Sequence, residues 1–267
     1  MNSSVSTRRW QRPPFIKNPL LRWSLWLGLA IYLALAFGSM EIDWGRVAEG
    51  ATRSERFIAA FFPPDFTSRW SSIYEGIMES LWMTITSTVV GILLSIPVGL
   101  GAARNLSWRP VYLFCRGILA VSRTFPEIIL AIFFVKLFGF GPFAGFLALS
   151  VGTIGFYGKL LAEDIEDMDP VQAEAIKSVG SGWLQWLNYA VQPQVMPRMI
   201  GLGIYRLDIN FRESAVVGIV GGGGIGATLL TSFDRYEFDS AAAILLVIIG
   251  IVMAMEYSSG YIRRWVQ

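Results

Sequence analysis

The chain has no histidine and a single cysteine, Cys115, in 267 residues. Without histidine, the commonest metal ligand and the usual neutral-pH general base are missing. No zinc site of His/Cys type can be built, and one thiol excludes an internal disulfide. Charge is scarce too: 16% of residues are charged, against about 25% in soluble domains. The formal net charge of +2 argues against a nucleic-acid-binding protein. No Gly-Lys-Ser/Thr follows the glycine run at 221–226 and no strand precedes it, so it is not a phosphate-binding loop. No nucleophile–base pair or metal cluster supports an enzyme.

Apolar residues make up 54% of the chain and mean hydropathy is +0.50, which places it in the membrane class. Ten Trp and eighteen Phe suit a bilayer protein with interfacial anchors. Residues 1–22 read as a basic cytoplasmic tail with Arg8, Arg9, Arg12, Lys17 and Arg22. Residues 23–70 hold a first span, Trp23–Met40, and a mixed-charge extracytoplasmic segment with a short interfacial helix around Arg53–Phe62. Residues 71–267 form the main transmembrane domain. Its spans are expected at Ile77–Ala103 (kinked at Pro97), Val111–Phe138, Phe143–Leu161, Val195–Val220 and Ser240–Tyr257. That makes about six transmembrane helices in an all-α fold. Arg104, Arg109, Arg263 and Arg264 join the tail on the cytoplasmic side by the positive-inside rule.

A polar stretch, Asp169–Pro197, interrupts these spans on the same side. Asp169-Pro170 predicts a helix start, with Asp as the cap and Pro at the first helical position. A short amphipathic helix is expected over Val171–Val179, stopped by Gly180–Gly182. A second run over Trp183–Val191 is expected to end near Pro193. Taken alone, this is either a surface helix-turn-helix or a contact surface.

Charges inside spans are expensive unless paired or wet. Arg123 and Glu127 lie four apart, as do Asp208 and Arg212, and both pairs are placed for intrahelical ion pairs. Arg206, Asn210 and Glu213 share another face. These groups either satisfy one another at helix contacts or line a polar route, where arginines would draw an oxyanion. Gly221, Gly222, Gly223, Gly224 and Gly226 form either a plain loop or irregular backbone near the outer mouth.

Two sets of residues carry a resemblance. Glu174-Ala175, Gly180 six residues after Glu174, and Pro193 thirteen after Gly180 resemble the cytoplasmic loop of bacterial ABC importer permeases. Ile176 stands where that family has a second Ala, and Gln192 where it has Leu. Further blocks resemble the permeases of phosphonate, phosphite and hypophosphite importers. They are Glu79–Thr84, Ala102–Asn105, Arg123–Glu127, Gly139–Gly145, Gly158–Leu160, Tyr205-Arg206 with Asn210 and Arg212, and Gly218–Gly226. The resemblance covers roughly 75–265. It implies a type I importer permease fold, like that of methionine-importer permeases, in the bacterial inner membrane. The segment 169–193 would be the coupling loop, with Glu174, Ala175, Ile176, Gly180 and Pro193 contacting an ATPase. It implies two cytoplasmic ATPase subunits that bind ATP and Mg, a second permease subunit (identical or paralogous), and a periplasmic or lipid-anchored binding protein. Membrane lipid surrounds the assembly, and this chain itself holds no cofactor. An amino-acid importer permease and an ion-coupled secondary transporter are the alternatives.

Overall fold

A computed structural model describes residue 16, residues 18–40 and residues 43–266, with side chains to 261. Most of the basic tail, including Arg8, Arg9, Arg12 and Lys17, lies outside the described residues, as do the side chains of Arg263 and Arg264. The described residues are helical with no strand, and fall into two compact units, 1–57 and 58–267.

The first unit holds α1 (Pro19–Ser39) and most of α2 (Trp44–Ala59). Asn18 caps α1 by accepting from the Leu20 amide at 3.1 Å, with Pro19 at the first turn. Helix α2 starts and ends earlier than the interfacial helix expected at 53–62. Its ion pairs, Arg46–Asp43 and Arg53–Glu49, are solvent-exposed.

Early in the second unit lies the Asp65 carboxylate. It accepts bonds from Ser68 and Thr67, which hold it well below the usual carboxylate range. Helix α3 (Trp70–Ala102) follows and continues past Pro97. At 33 residues it is about 50 Å long, more than the ~30 Å hydrocarbon core requires. One face is a file of small residues: Ser80, Thr84, Ser87, Gly91, Ser95 and Gly99, all buried. The other face, with Trp82, Ile85, Val89, Leu93 and Ile96, is exposed as a lipid-facing surface must be. The small file packs along α6 (Pro142–Glu166), where a Cβ on Gly91 would strike Thr153 and the Ser150 carbonyl. A Cβ on Gly99 would come within 3.0 Å of the Gly158 carbonyl oxygen, so the backbones touch. Close backbone approach is how helices associate where lipid removes the hydrophobic driving force.

Between α3 and α6 the expected single span is broken. Helix α4 (Arg109–Thr124) meets α5 (Glu127–Phe138) at 92° across Phe125-Pro126. Proline removes a donor and forces its predecessor out of the helical region, and Phe125 is extended. After α6 come α7 (Pro170–Ser178), α8 (Trp183–Trp186), a π turn at Leu187–Val191, and α9 (Gln192–Val217). A second π turn at Gly218–Gly222 breaks at Gly221 into α10 (Gly224–Asp234), bent by 56°, and α11 (Phe238–Val266) closes the chain. Among the described residues, four helices (α1, α3, α6 and α11) are long and apolar enough to cross a membrane, and up to six spans result if each bent pair counts as one.

Candidate functional site

The polar stretch forms a compact knob. Asp169 caps α7, its side chain accepting from the Val171 amide at 2.9 Å, and Gly180 (φ 80°) ends the turn that follows. Inside the knob, the Trp186 indole donates to the Ala173 carbonyl at 3.0 Å, and the Lys177 ammonium lies 4.5 Å over the same ring. Ala173 is buried, while Glu174, Ala175, Val171 and Val179 are exposed, Val171 and Val179 by more than 70%. Ile176 is half-buried and accepts from the Ser181 hydroxyl through its carbonyl at 2.7 Å. The outer surface of α7 is therefore a mixed acidic and apolar patch with no partner within the knob.

Pro193 does not end a helix, contrary to expectation. It sits in the first turn of α9, directly after the turn that leads into it. The chain upstream winds instead as a π turn, with the Gln192 amide donating five residues back to the Leu187 carbonyl. Gln194 then ties this turn to the head of the loop. Its side-chain amide donates to the Ala190 carbonyl at 2.8 Å, and its oxygen accepts from the Asp169 amide at 2.9 Å. Arg198 adds an ion pair to Asp164 of α6 at 2.7 Å. An apolar cavity of about 190 Å³, lined by Tyr157, Leu161, Leu187, Val191, Val195 and Met199, lies beside the π turn. Sequence reading missed Trp186 and Gln194. The Gln-Pro-Gln run around Pro193 was the available signal.

The charges within the spans converge on Arg206. Its guanidinium, 4% exposed, lies 3.1 Å from Glu127 and 3.3 Å from Glu213, and its Nε donates to the Thr153 hydroxyl at 3.2 Å. Asn210 donates to the same Thr153 oxygen at 2.9 Å and to Thr88 at 2.7 Å. One cluster thus joins α3, α5, α6 and α9. Gly152 makes room for it, since a Cβ there would lie 2.6 Å from the Glu127 carboxylate. Asp208 pairs with Arg212 one turn on, as the spacing suggests. Arg123 and Glu127, however, form no pair. The break at Phe125-Pro126 swings them apart, Glu127 turns to Arg206, and Arg123 stays exposed on α4. Arg206 therefore has two carboxylates on one guanidinium, leaving no net positive charge there to attract an anion.

The glycine run is a tight helical corner. Gly221 (φ 100°), Gly223 (φ 78°) and Gly224 (φ 73°) adopt left-handed backbone that other residues resist. A Cβ on Gly223 would lie 2.7 Å from the Pro142 nitrogen, so the corner is wedged against the α5–α6 turn. Gly222 and Gly226 are equally enclosed, the latter by the Ala215 carbonyl. Helix α3 caps the new helix: Glu79 accepts from the Gly224 amide at 2.8 Å and Ser80 from the Ile225 amide at 2.9 Å.

Four to six candidate crossings among the described residues, a polar knob after α6, and a buried charge cluster joining α3, α5, α6 and α9 suit a membrane transport component. Residues 95–267 match the family described as "Binding-protein-dependent transport system inner membrane component", and the chain belongs to that family. It is thus an integral inner-membrane protein. Its relatives narrow the group. The chain is 40% identical, over 76% of its length and 74% of the other's, to the phosphite transport system permease protein PtxC of Stutzerimonas stutzeri. It is 44% identical, over 97% of its length, to the phosphate-import permease protein PhnE of Mycolicibacterium smegmatis, and spans half (50%) of that longer protein. Among solved structures it resembles the MetNI methionine ABC transporter in an inward-facing form, with a TM-score of 0.67 at 22% identity, over 75% of this chain and 99% of that one. The fold is that of a type I ABC importer permease.

Proposed function

We propose that this chain is the membrane-spanning subunit of an ATP-driven importer that carries a phosphorus oxyanion of the phosphite or phosphonate class. The likeness to the phosphite permease over three quarters of the chain carries this reading. In it the protein is not an enzyme. Two cytoplasmic ATPase subunits bind ATP and Mg and do the hydrolysis. A second permease subunit completes the path, and a soluble or lipid-anchored binding protein delivers the anion.

The knob 169–193 is the contact for the ATPase. Exposed Glu174 accepts charge-assisted hydrogen bonds from it, and Val171 and Val179 seat in an apolar cleft. Closure of the ATPases pushes α7. The push passes through Trp186 and the Gln194 tie into α9, which rocks against α3 and α6. The π turn beside its apolar cavity is where this motion is absorbed. Arg206, neutralised by Glu127 and Glu213, is a clamp that keeps α3, α5, α6 and α9 moving together. Arg212, half-exposed and shared with Asp208, stands nearer the route.

The test is uptake by the assembled complex in vesicles. Phosphite or methylphosphonate accumulates with ATP, and methionine does not. Glu174→Ala lowers the rate about tenfold, the worth of one charge-assisted hydrogen bond. Methionine uptake in place of phosphite rejects the cargo, and a wild-type rate for Glu174→Ala rejects its coupling role.

A further inference from the structure

Helix α4 is unlike the other helices of the second unit. It is amphipathic rather than apolar, and its charges are all of one sign. Arg109, Arg116 and Arg123 recur every seven residues. Seven residues advance a helix by about 10.5 Å and two turns less roughly 20°, so the three arginines form one stripe about 21 Å long. The flank of α4 beside this stripe is fixed in the fold. Cys115 and Leu119 are buried, and Cβ atoms on Gly101 and Gly158 would strike them.

Two concavities lie along this stripe. One, of about 530 Å³, is lined by Arg104, Ser107, Arg109, Tyr112 and Leu113. The other, of about 430 Å³, is lined by Arg116, Leu119, Ala120, Arg123, Thr124 and Lys159. The cations here outnumber their partners. Glu166 takes Arg116 at 2.8 Å, and Glu163 takes Lys159 at 3.3 Å. Arg104, Arg109 and Arg123 make no ion pair among the described residues. Arg116 is also held at the proper angle, its Nε donating to the Ala102 carbonyl at 2.9 Å and its guanidinium lying over Tyr112. Guanidinium groups spaced along a wall match tetrahedral oxyanions by charge and by fork geometry.

We propose that the α4 stripe, Arg109, Arg116 and Arg123 with Arg104 and Lys159, is a binding site for a phosphorus oxyanion on the cytoplasmic half of the transmembrane unit. The ligand is either the transported anion leaving the path or the headgroup phosphate of an anionic lipid. The first source rests on the functional reading above; the second does not. This assigns anion handling to a stripe in which Arg104, Arg109 and Arg123 lack carboxylate partners, rather than to Arg206, whose charge is spent.

The experiment uses the full complex in phosphatidylcholine vesicles, with and without phosphatidylglycerol. Arg109→Gln with Arg123→Gln removes two unpaired charges without breaking an ion pair, and Arg109→Lys with Arg123→Lys keeps them. If the cargo is the ligand, phosphite uptake falls about tenfold or more in both lipids for the glutamine pair, and the lysine pair recovers most of it. If a lipid is the ligand, uptake in pure phosphatidylcholine is unchanged, but native mass spectrometry shows that the glutamine pair no longer retains phosphatidylglycerol. Unchanged uptake together with unchanged lipid retention overturns the site, and so does a fall in uptake that lysine fails to reverse. A wild-type complex that carries no phosphite rejects the cargo reading alone, and lipid retention by the glutamine pair then decides the stripe.

Discussion

Arg206 illustrates how a charge is kept inside a bilayer protein. A lone guanidinium at that depth would cost several kcal/mol. Here two carboxylates and the Thr153 hydroxyl surround it, and Asn210 shares that hydroxyl. Removing the arginine is worse than removing an acid, because Glu127 and Glu213 would then face each other without a cation. Arg206→Leu is expected to destabilise the detergent-solubilised protein by about 3 kcal/mol, on the order of 5–10 °C in melting temperature. Adding Glu213→Gln to that variant should recover part of the loss, giving a clear coupling term in a double-mutant cycle. Strict additivity of the two changes would show that the three groups do not act as a unit.

At the scale of elements, the breaks matter more than the helices. Each has a local cause: Phe125-Pro126 ends α4, left-handed Gly221 and Gly223 turn α9 into α10, and Pro193 removes the amide donor that would continue the helical ladder upstream. Each break is then tied down from elsewhere in the fold. Glu127 goes to Arg206, Glu79 and Ser80 cap α10, and Gln194 holds the loop. The knob depends on one such tie, the Trp186–Ala173 bond. Trp186→Phe keeps the ring and loses the donor. Amide hydrogen exchange over 170–178 is expected to quicken about fivefold, the equivalent of one neutral hydrogen bond, with the spans unaffected. Unchanged exchange would assign the rigidity of α7 to packing alone.

For the whole molecule the central question is which side the knob faces. The single cysteine makes this accessible, because Cys115 is buried and should not react with a membrane-impermeant maleimide. Ser178→Cys, at the exposed end of α7, should label only from the cytoplasmic side. Phe140→Cys, in the turn between α5 and α6 with 85% of its surface exposed, should label only from the other side. Labelling of both from one face would overturn the six-crossing topology. Counting each bent pair as one crossing puts these two sites at opposite ends of α6.

The sequence by itself determined the class of protein and the local chemistry of its parts. Scarce charge and apolar runs dictated a bundle of spans, Asp169-Pro170 and Gly180 bounded α7, and a four-residue spacing paired Asp208 with Arg212. All of these depend on neighbours within a turn or two, which spacing can show. The packing of the helices set how sharply the chain turns at its breaks and what pairs across them. Pro126 ends α4 by its own chemistry, but the corner of 92° that follows is set by the packing of α5 against α6 and α9. That corner sent Glu127 to a residue 79 positions away and left Arg123 on an open face. The sign of each charge was visible in the residues. Whether a charge is neutralised or free depends on partners distant in the chain, and that is set by the fold.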